Sequence, residues 1–174
     1  QLVLSTGSPT TTAVNYSGMF TADTLQFDYT IVSGNNSGDL DYASTAALVL
    51  NGGTIISTST PNPAAILGLA TPGAANSLGA NKAIVIDAVV PVITNITSAT
   101  TNGSYKAGDS ISIQVTFSKN ISVSSGTPTL SLNSTGTATY VSVSTNTLTF
   151  TYTVAGTETA SDLDVTSLLL NGAT

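Results

Sequence analysis

The sequence predicts an all-β fold of antiparallel sandwiches, and three observations lead there. Apolar and polar residues alternate at period two in several stretches, as they do on half-buried strands. Turn signals separate those stretches: Asn51-Gly52, Asn102-Gly103, Gly7-Ser8-Pro9 and Gly126-Thr127-Pro128. One long segment recurs about 120 residues further on, a period suited to a sandwich of seven or more short strands.

In chain order, "QLVL" is the first strand candidate. "TLQFDYTIV" follows, with Leu25, Phe27, Tyr29 and Ile31 on one face and Gln26, Asp28 and Thr30 on the other. "LVL" at 48–50 is a short candidate. "PAAILGLA" at 63–70 has room for one helical turn, limited by Gly68 and the flanking prolines. "AIVID" closes the first half and "VITNIT" opens the second. "SISIQVTFS" puts Ile111, Ile113, Val115 and Phe117 on one face; "TLSL" and "ATYVSV" are shorter. "TLTFTYTV" repeats the scheme with Leu148, Phe150, Tyr152 and Val154. Threonine, β-branched and polar, fills the wet faces. The strand aromatics lie in the apolar phase, so core packing accounts for them. "VNYSGMFTADT" breaks the pattern and reads as an insertion. It would form an exposed apolar tip around Tyr16, Met19 and Phe20.

Residues 24–41 align with 147–164 without a gap. Thr24/Thr147, Leu25/Leu148, Phe27/Phe150, Tyr29/Tyr152 and Thr30/Thr153 are identical, as are both "DLD" triplets. "QLVLSTG" matches "TLSLNSTG" upstream, and "LNG" recurs downstream. The first copy lacks a counterpart of "VITNITSATTNGSYKAGDSISIQVTF"; the second stops before one of "NKAIVID". The domain reading is a sandwich over 1–87 lacking its first strands, a linker over 88–91, and a sandwich over 92–174 lacking its last strand. The chain ends are thus out of phase with the modules. Gln1 reads as the start of a processed product or a cut fragment. In a whole subunit, the missing strands predict complementation between copies; in a longer chain they are covalent neighbours.

Composition excludes several function classes. Only 7% of residues are charged, against about 25% in an average domain. The basic residues are Lys82, Lys106 and Lys119, with no Arg, too few to neutralise a run of phosphates, so no nucleic-acid partner is expected. The net charge of −6 favours cations. The patterned 41% of apolar residues argues for a folded chain. Without Cys there is no disulfide framework, which leaves metal, long sheets or assembly as staples. No apolar run is long enough to span a bilayer. With no His or Cys, and no visible partner to activate a Ser, no enzyme is expected. Asn-x-Ser/Thr triplets fall at Asn15, Asn35, Asn95, Asn102, Asn120 and Asn133; a Ser/Thr-rich chain produces most of these by chance.

Four pieces in this order, "VIDAVVPVITNIT", "NGSYKAGDSISIQVTFSKNI", "LTFTYTV" and "DLD…LNG", cover most of the chain. Together they resemble the tandem immunoglobulin-like repeats of very large bacterial cell-surface and secreted proteins, RTX-type adhesins among them. Family members read Asp-Thr-Thr-Ala-Pro at the linker, where this chain has Asp87-Ala88-Val89-Val90-Pro91. The resemblance implies an extracellular, calcium-stiffened spacer or fibre module at the bacterial cell surface, and no catalysis. Its partners would be neighbouring copies or modules of the same protein. A glycan- or receptor-binding adhesin module and a surface-layer or phage-fibre component are the alternatives.

The carboxylates carry the site expectation. Asp39 and Asp41 follow a strand, Asp87 closes the last strand before the linker, and Asp109 lies in the "KAGDS" turn. Loops at facing ends of two sandwiches would bring these four together, and calcium takes six to eight oxygens from such clusters. Asp162 and Asp164, with Glu158 nearby, would be the equivalent half-site toward a next module. The plainer reading of Asp-x-Asp in a loop is an Asx-turn and a solubilising pair.

Overall fold

A computed structural model describes all 174 residues and is almost entirely β, with antiparallel sheets. The chain divides into two compact units, Gln1–Val90 and Pro91–Thr174.

The first unit is built from short ladders. β1 (Leu2–Ser5) pairs with β2 (Thr11–Val14), and β3 (Tyr16–Thr21) with β4 (Thr24–Phe27). β5 (Asn36–Ser37) pairs with β6 (Ile86–Asp87). Single bridges tie Leu2 to Leu48 and Leu4 to Tyr42. Leu4, Val14, Leu40, Tyr42, Ala47 and Ile86 form the core, with Phe27 and Tyr29 packed against it. The one helical turn, α1 (Leu78–Asn81), lies outside the 63–70 segment. Ser77 caps it by accepting a hydrogen bond from the Ala80 amide at 3.1 Å, whereas 63–70 has Pro63 and Gly68 instead of a cap.

The second unit is one curled six-stranded sheet. Its strands are β7 (Ile93–Ser98), β8 (Ser110–Phe117), β9 (Thr129–Leu132), β10 (Thr137–Ser144), β11 (Thr147–Thr153) and β12 (Val165–Leu169). They lie in the order β12-β9-β10-β11-β8-β7, antiparallel throughout. Alternation puts Ile111, Ile113 and Val115 of β8 against Leu148, Phe150 and Tyr152 of β11, all buried, with Leu130, Leu132 and Ala138 beneath them. Burying each of the larger aliphatic or aromatic side chains contributes roughly 1.5–3 kcal/mol.

The same bonds recur in both units. Tyr29 donates its hydroxyl to Asn35 Oδ1 at 2.7 Å, and that oxygen also accepts the Val32 amide at 2.9 Å. Tyr152 donates to Glu158 Oε2 at 2.8 Å, which accepts the Ala155 amide at 2.8 Å. Tyr16 meets Phe27 edge-on at 6.2 Å, and Tyr140 meets Phe150 edge-on at 6.1 Å. Asn51-Gly52 and Asn171-Gly172 all have positive φ, the conformation that an Asn-Gly turn supplies at little steric cost. "VNYSGMFTADT" is therefore no insertion. Its β3–β4 hairpin occupies the place of the β10–β11 hairpin.

The units differ in what flanks the shared part. β11 lies between β10 and β8, whereas β4 pairs only with β3. Phe150 is accordingly fully buried and Phe27 only half-buried, and Ile31 is 50% exposed. Residues 28–31 alternate like a strand in sequence but are not one in the fold, because no neighbouring strand accepts their hydrogen bonds.

Candidate functional site

The acidic loops begin where a strand hands over to a bend. Asp41 is 8% exposed. Its Oδ1 accepts the Tyr42 amide at 2.8 Å and its Oδ2 the Gly73 amide at 2.9 Å. Burial pushes its carboxyl upward, but the donors of Gly73, Tyr42, Ser77 and Gly79 outweigh that and hold it below the ordinary carboxylate value. The same charge, after burial itself, pushes the Tyr42 hydroxyl up. Asp39 is exposed, and its Oδ1 accepts the Ile84 amide at 3.3 Å. The two carboxylates converge on Gly79. A Cβ built there would stand 3.0 Å from Asp41 Oδ2 and 3.3 Å from Asp39 Oδ2. Here the glycine gives space for two acids beside the backbone.

Asp87 lies on β6 opposite Asn36, and its Oδ1 accepts the Val89 amide at 3.4 Å. In the second unit, Asp109 accepts the Lys106 amide at 2.9 Å in the turn before β8. Asp164 Oδ1 accepts the Val165 amide at 2.7 Å, matching the bond from Tyr42 to Asp41. Asn133 clasps the second "DLD": its side chain donates to Asp162 O at 2.8 Å and accepts the Asp164 amide at 3.0 Å. Asp162 and Asp164 are exposed where Asp41 is buried. The loop 73–79 that covers Asp41 follows "LNG" in the first unit.

Both Asp41 oxygens accept backbone N–H groups, which offset part of its negative charge. Asp39, Asp109, Asp162 and Asp164 each present a carboxylate nearer to solvent. No group of three or more acids gathers at ligating spacing.

Sequence reasoning missed Asn35 and Asn133. Asn35 is fully buried, and its amide donates to Ser8 O at 3.1 Å while its oxygen serves Tyr29 and Val32. A glycan there is incompatible with the folded unit. The signal was available: Asn35 aligns with Glu158, and both follow the conserved-in-repeat Tyr by six positions.

A further feature is a groove of about 580 Å³ wholly within the second unit, lined by Ile111, Ile113, Leu132, Tyr152 and residues 158–165 among others. No protein-family model, curated protein or solved structure matches this chain.

Proposed function

We propose that the chain is a structural segment of an extracellular fibre or adhesin stalk. It consists of immunoglobulin-like sandwich modules in tandem, stiffened by calcium on exposed loop carboxylates and assembled by strand complementation between modules or copies. The observation that carries this reading is the repeated bond set, Tyr29–Asn35–Val32 and Tyr152–Glu158–Ala155. A duplicated scaffold that keeps its internal bonds while Thr-rich faces vary suits a part whose job is length and rigidity. Few lysines guard its sheet edges, which favours edge-to-edge assembly. Single-molecule pulling from both ends tests the mechanical role. Two discrete unfolding steps are expected, each releasing roughly 30 nm at about 3.5 Å per residue. Featureless extension rejects it.

A second reading, an adhesive tip for a glycan or receptor, is favoured by one observation. Phe20 is 74% exposed and Met19 50% exposed on the β3–β4 hairpin, a costly arrangement without a partner. Replacing Met19→Ser and Phe20→Ser together should abolish binding of protein-coated beads to target cells; unchanged binding removes this reading.

A further inference from the structure

Three Asn-Gly pairs punctuate the chain, Asn51-Gly52, Asn102-Gly103 and Asn171-Gly172. In such a pair the glycine nitrogen can attack the asparagine carboxamide carbon, because glycine has no side chain to shield it. A bond forms between the glycine nitrogen and Cγ, closing a five-membered succinimide. The bond from Cγ to Nδ2 breaks, and the amide proton ends on the ammonia that leaves. Water then opens the ring at either carbonyl. The products are aspartate or, with the main chain rerouted through Cγ, isoaspartate. Water is the only co-reactant, and no oxidant, reductant or cofactor takes part.

All three asparagines are exposed, yet the fold makes them unequal. Asn51 and Asn171 sit in the same turn. Both have φ +50°, followed by glycines at +86° and +77°. One backbone bond of 2.9 Å closes each turn, from the Gly53 amide to Leu50 O and from the Ala173 amide to Leu170 O. The difference lies in the carboxamide. Asn171 Nδ2 donates to Thr127 O at 3.1 Å and to Thr129 Oγ1 at 2.9 Å, so both its hydrogens are engaged. No hydrogen bond holds the carboxamide of Asn51 or of Asn102. Asn102 lies between β7 and β8, where no backbone bond closes a turn across it. Reaction swings the carboxamide over its own main chain onto the next nitrogen. Asn171 must first release two bonds, Asn51 only has to loosen its turn, and Asn102 has neither restraint.

We propose that Asn102 and Asn51 are sites of spontaneous conversion to aspartate and isoaspartate, Asn102 the faster, and that the anchor on Thr127 and Thr129 protects Asn171. Each conversion adds a carboxylate to a chain already at −6. The isoaspartate product also adds a methylene to the main chain. At Asn51 that spoils the spacing needed by the bond from Gly53 to Leu50. At Asn102 it lengthens the connection between β7 and β8 and leaves their ladder paired. The repeated turn thus exists in one labile and one protected copy, and two threonine atoms make the difference. The chemistry does not depend on the fibre reading above.

The test incubates the full folded chain in warm, mildly alkaline buffer. Each site is followed by peptide mapping and mass spectrometry, with aspartate and isoaspartate products separated by chromatography. The same chain unfolded in guanidinium chloride gives the intrinsic rate of each site, and folded rates are read as ratios to it. Asn102 should convert at close to its unfolded rate. Asn171 should be protected at least about tenfold more than Asn51, because two further hydrogen bonds must break. Thr129→Val removes one anchor and should speed Asn171 about fivefold, with Asn51 and Asn102 unchanged. Thr129→Ser keeps the hydroxyl and should leave Asn171 protected. Equal ratios at Asn51 and Asn171 overturn the proposal, as does an Asn171 rate that rises equally in both Thr129 variants or in neither. A folded chain that keeps Asn51 and Asn102 intact while the unfolded chain converts them overturns it as well.

Discussion

Single residues hold the two units by different means. The fully buried side chains of the first unit include polar Thr6, Asn35 and Ser77; those of the second include Val115, Pro128, Leu130, Ala138 and Phe150. Tyr152 shows what one hydroxyl contributes. It is 2% exposed and bonds both Glu158 and Ser134. Tyr152→Phe strands those partners and should cost about 1–3 kcal/mol in urea denaturation. Tyr29→Phe, at a half-buried site, should cost less. Asp41 makes a pH prediction. Its folded carboxyl lies below the ordinary value, so near that value the unfolded chain binds more protons than the folded one. Its contribution is present above the unfolded carboxylate range and is lost as pH falls through the folded value. Asp41→Asn should destabilise the first unit at neutral pH and flatten its acid limb. A variant whose acid unfolding tracks the parent shows that other groups control that limb.

Elements are governed by their neighbours, and there the sequence is legible in part. Long alternating stretches with a buried face, β8 and β11, are plain from period two alone. β2, β3 and β12 are not, because "TTAV", "YSGMFT" and "VTSLL" have mostly exposed faces and so little apolar alternation. Residues 28–31 show the opposite error. Their alternation is as good as that of β11, yet a strand also needs a partner, and partners are tertiary facts. The doubled "DLD" was visible as a repeat, but the burial of Asp41 depends on a loop more than thirty residues away, bonding through the Gly73 amide. The missing neighbour of β4 has a measurable cost. Phe150→Ala in the flanked strand should lose about 3–5 kcal/mol. Phe27→Ala, half-buried at an open edge, should lose clearly less, as measured by denaturant midpoints of each variant. Equal losses would mean that the edge of β4 is covered in solution.

At the scale of the whole chain, a net charge of −6 with three lysines leaves carboxylate repulsion largely uncompensated within the protein. Exposed Asp39, Asp87, Asp162 and Asp164 and half-buried Asp109 therefore gain most from a divalent cation, while Asp41 already has its compensating amides. Extracellular calcium modules bind with Kd on the order of 0.1–1 mM. At about 10 mM calcium, one such site adds roughly 1.4–2.7 kcal/mol to the folded state. The melting temperature should therefore rise with calcium and fall with chelator, more than an equal ionic strength of sodium chloride can produce. Asp162→Asn with Asp164→Asn should remove the part of that rise belonging to the second unit. Its Val115, Leu130 and Phe150 core, untouched by the change, should keep the unit folded. A melting curve indifferent to chelator and to millimolar calcium would separate the carboxylate loops from any cation and leave Asp164 with the turn-forming bond it makes to Val165.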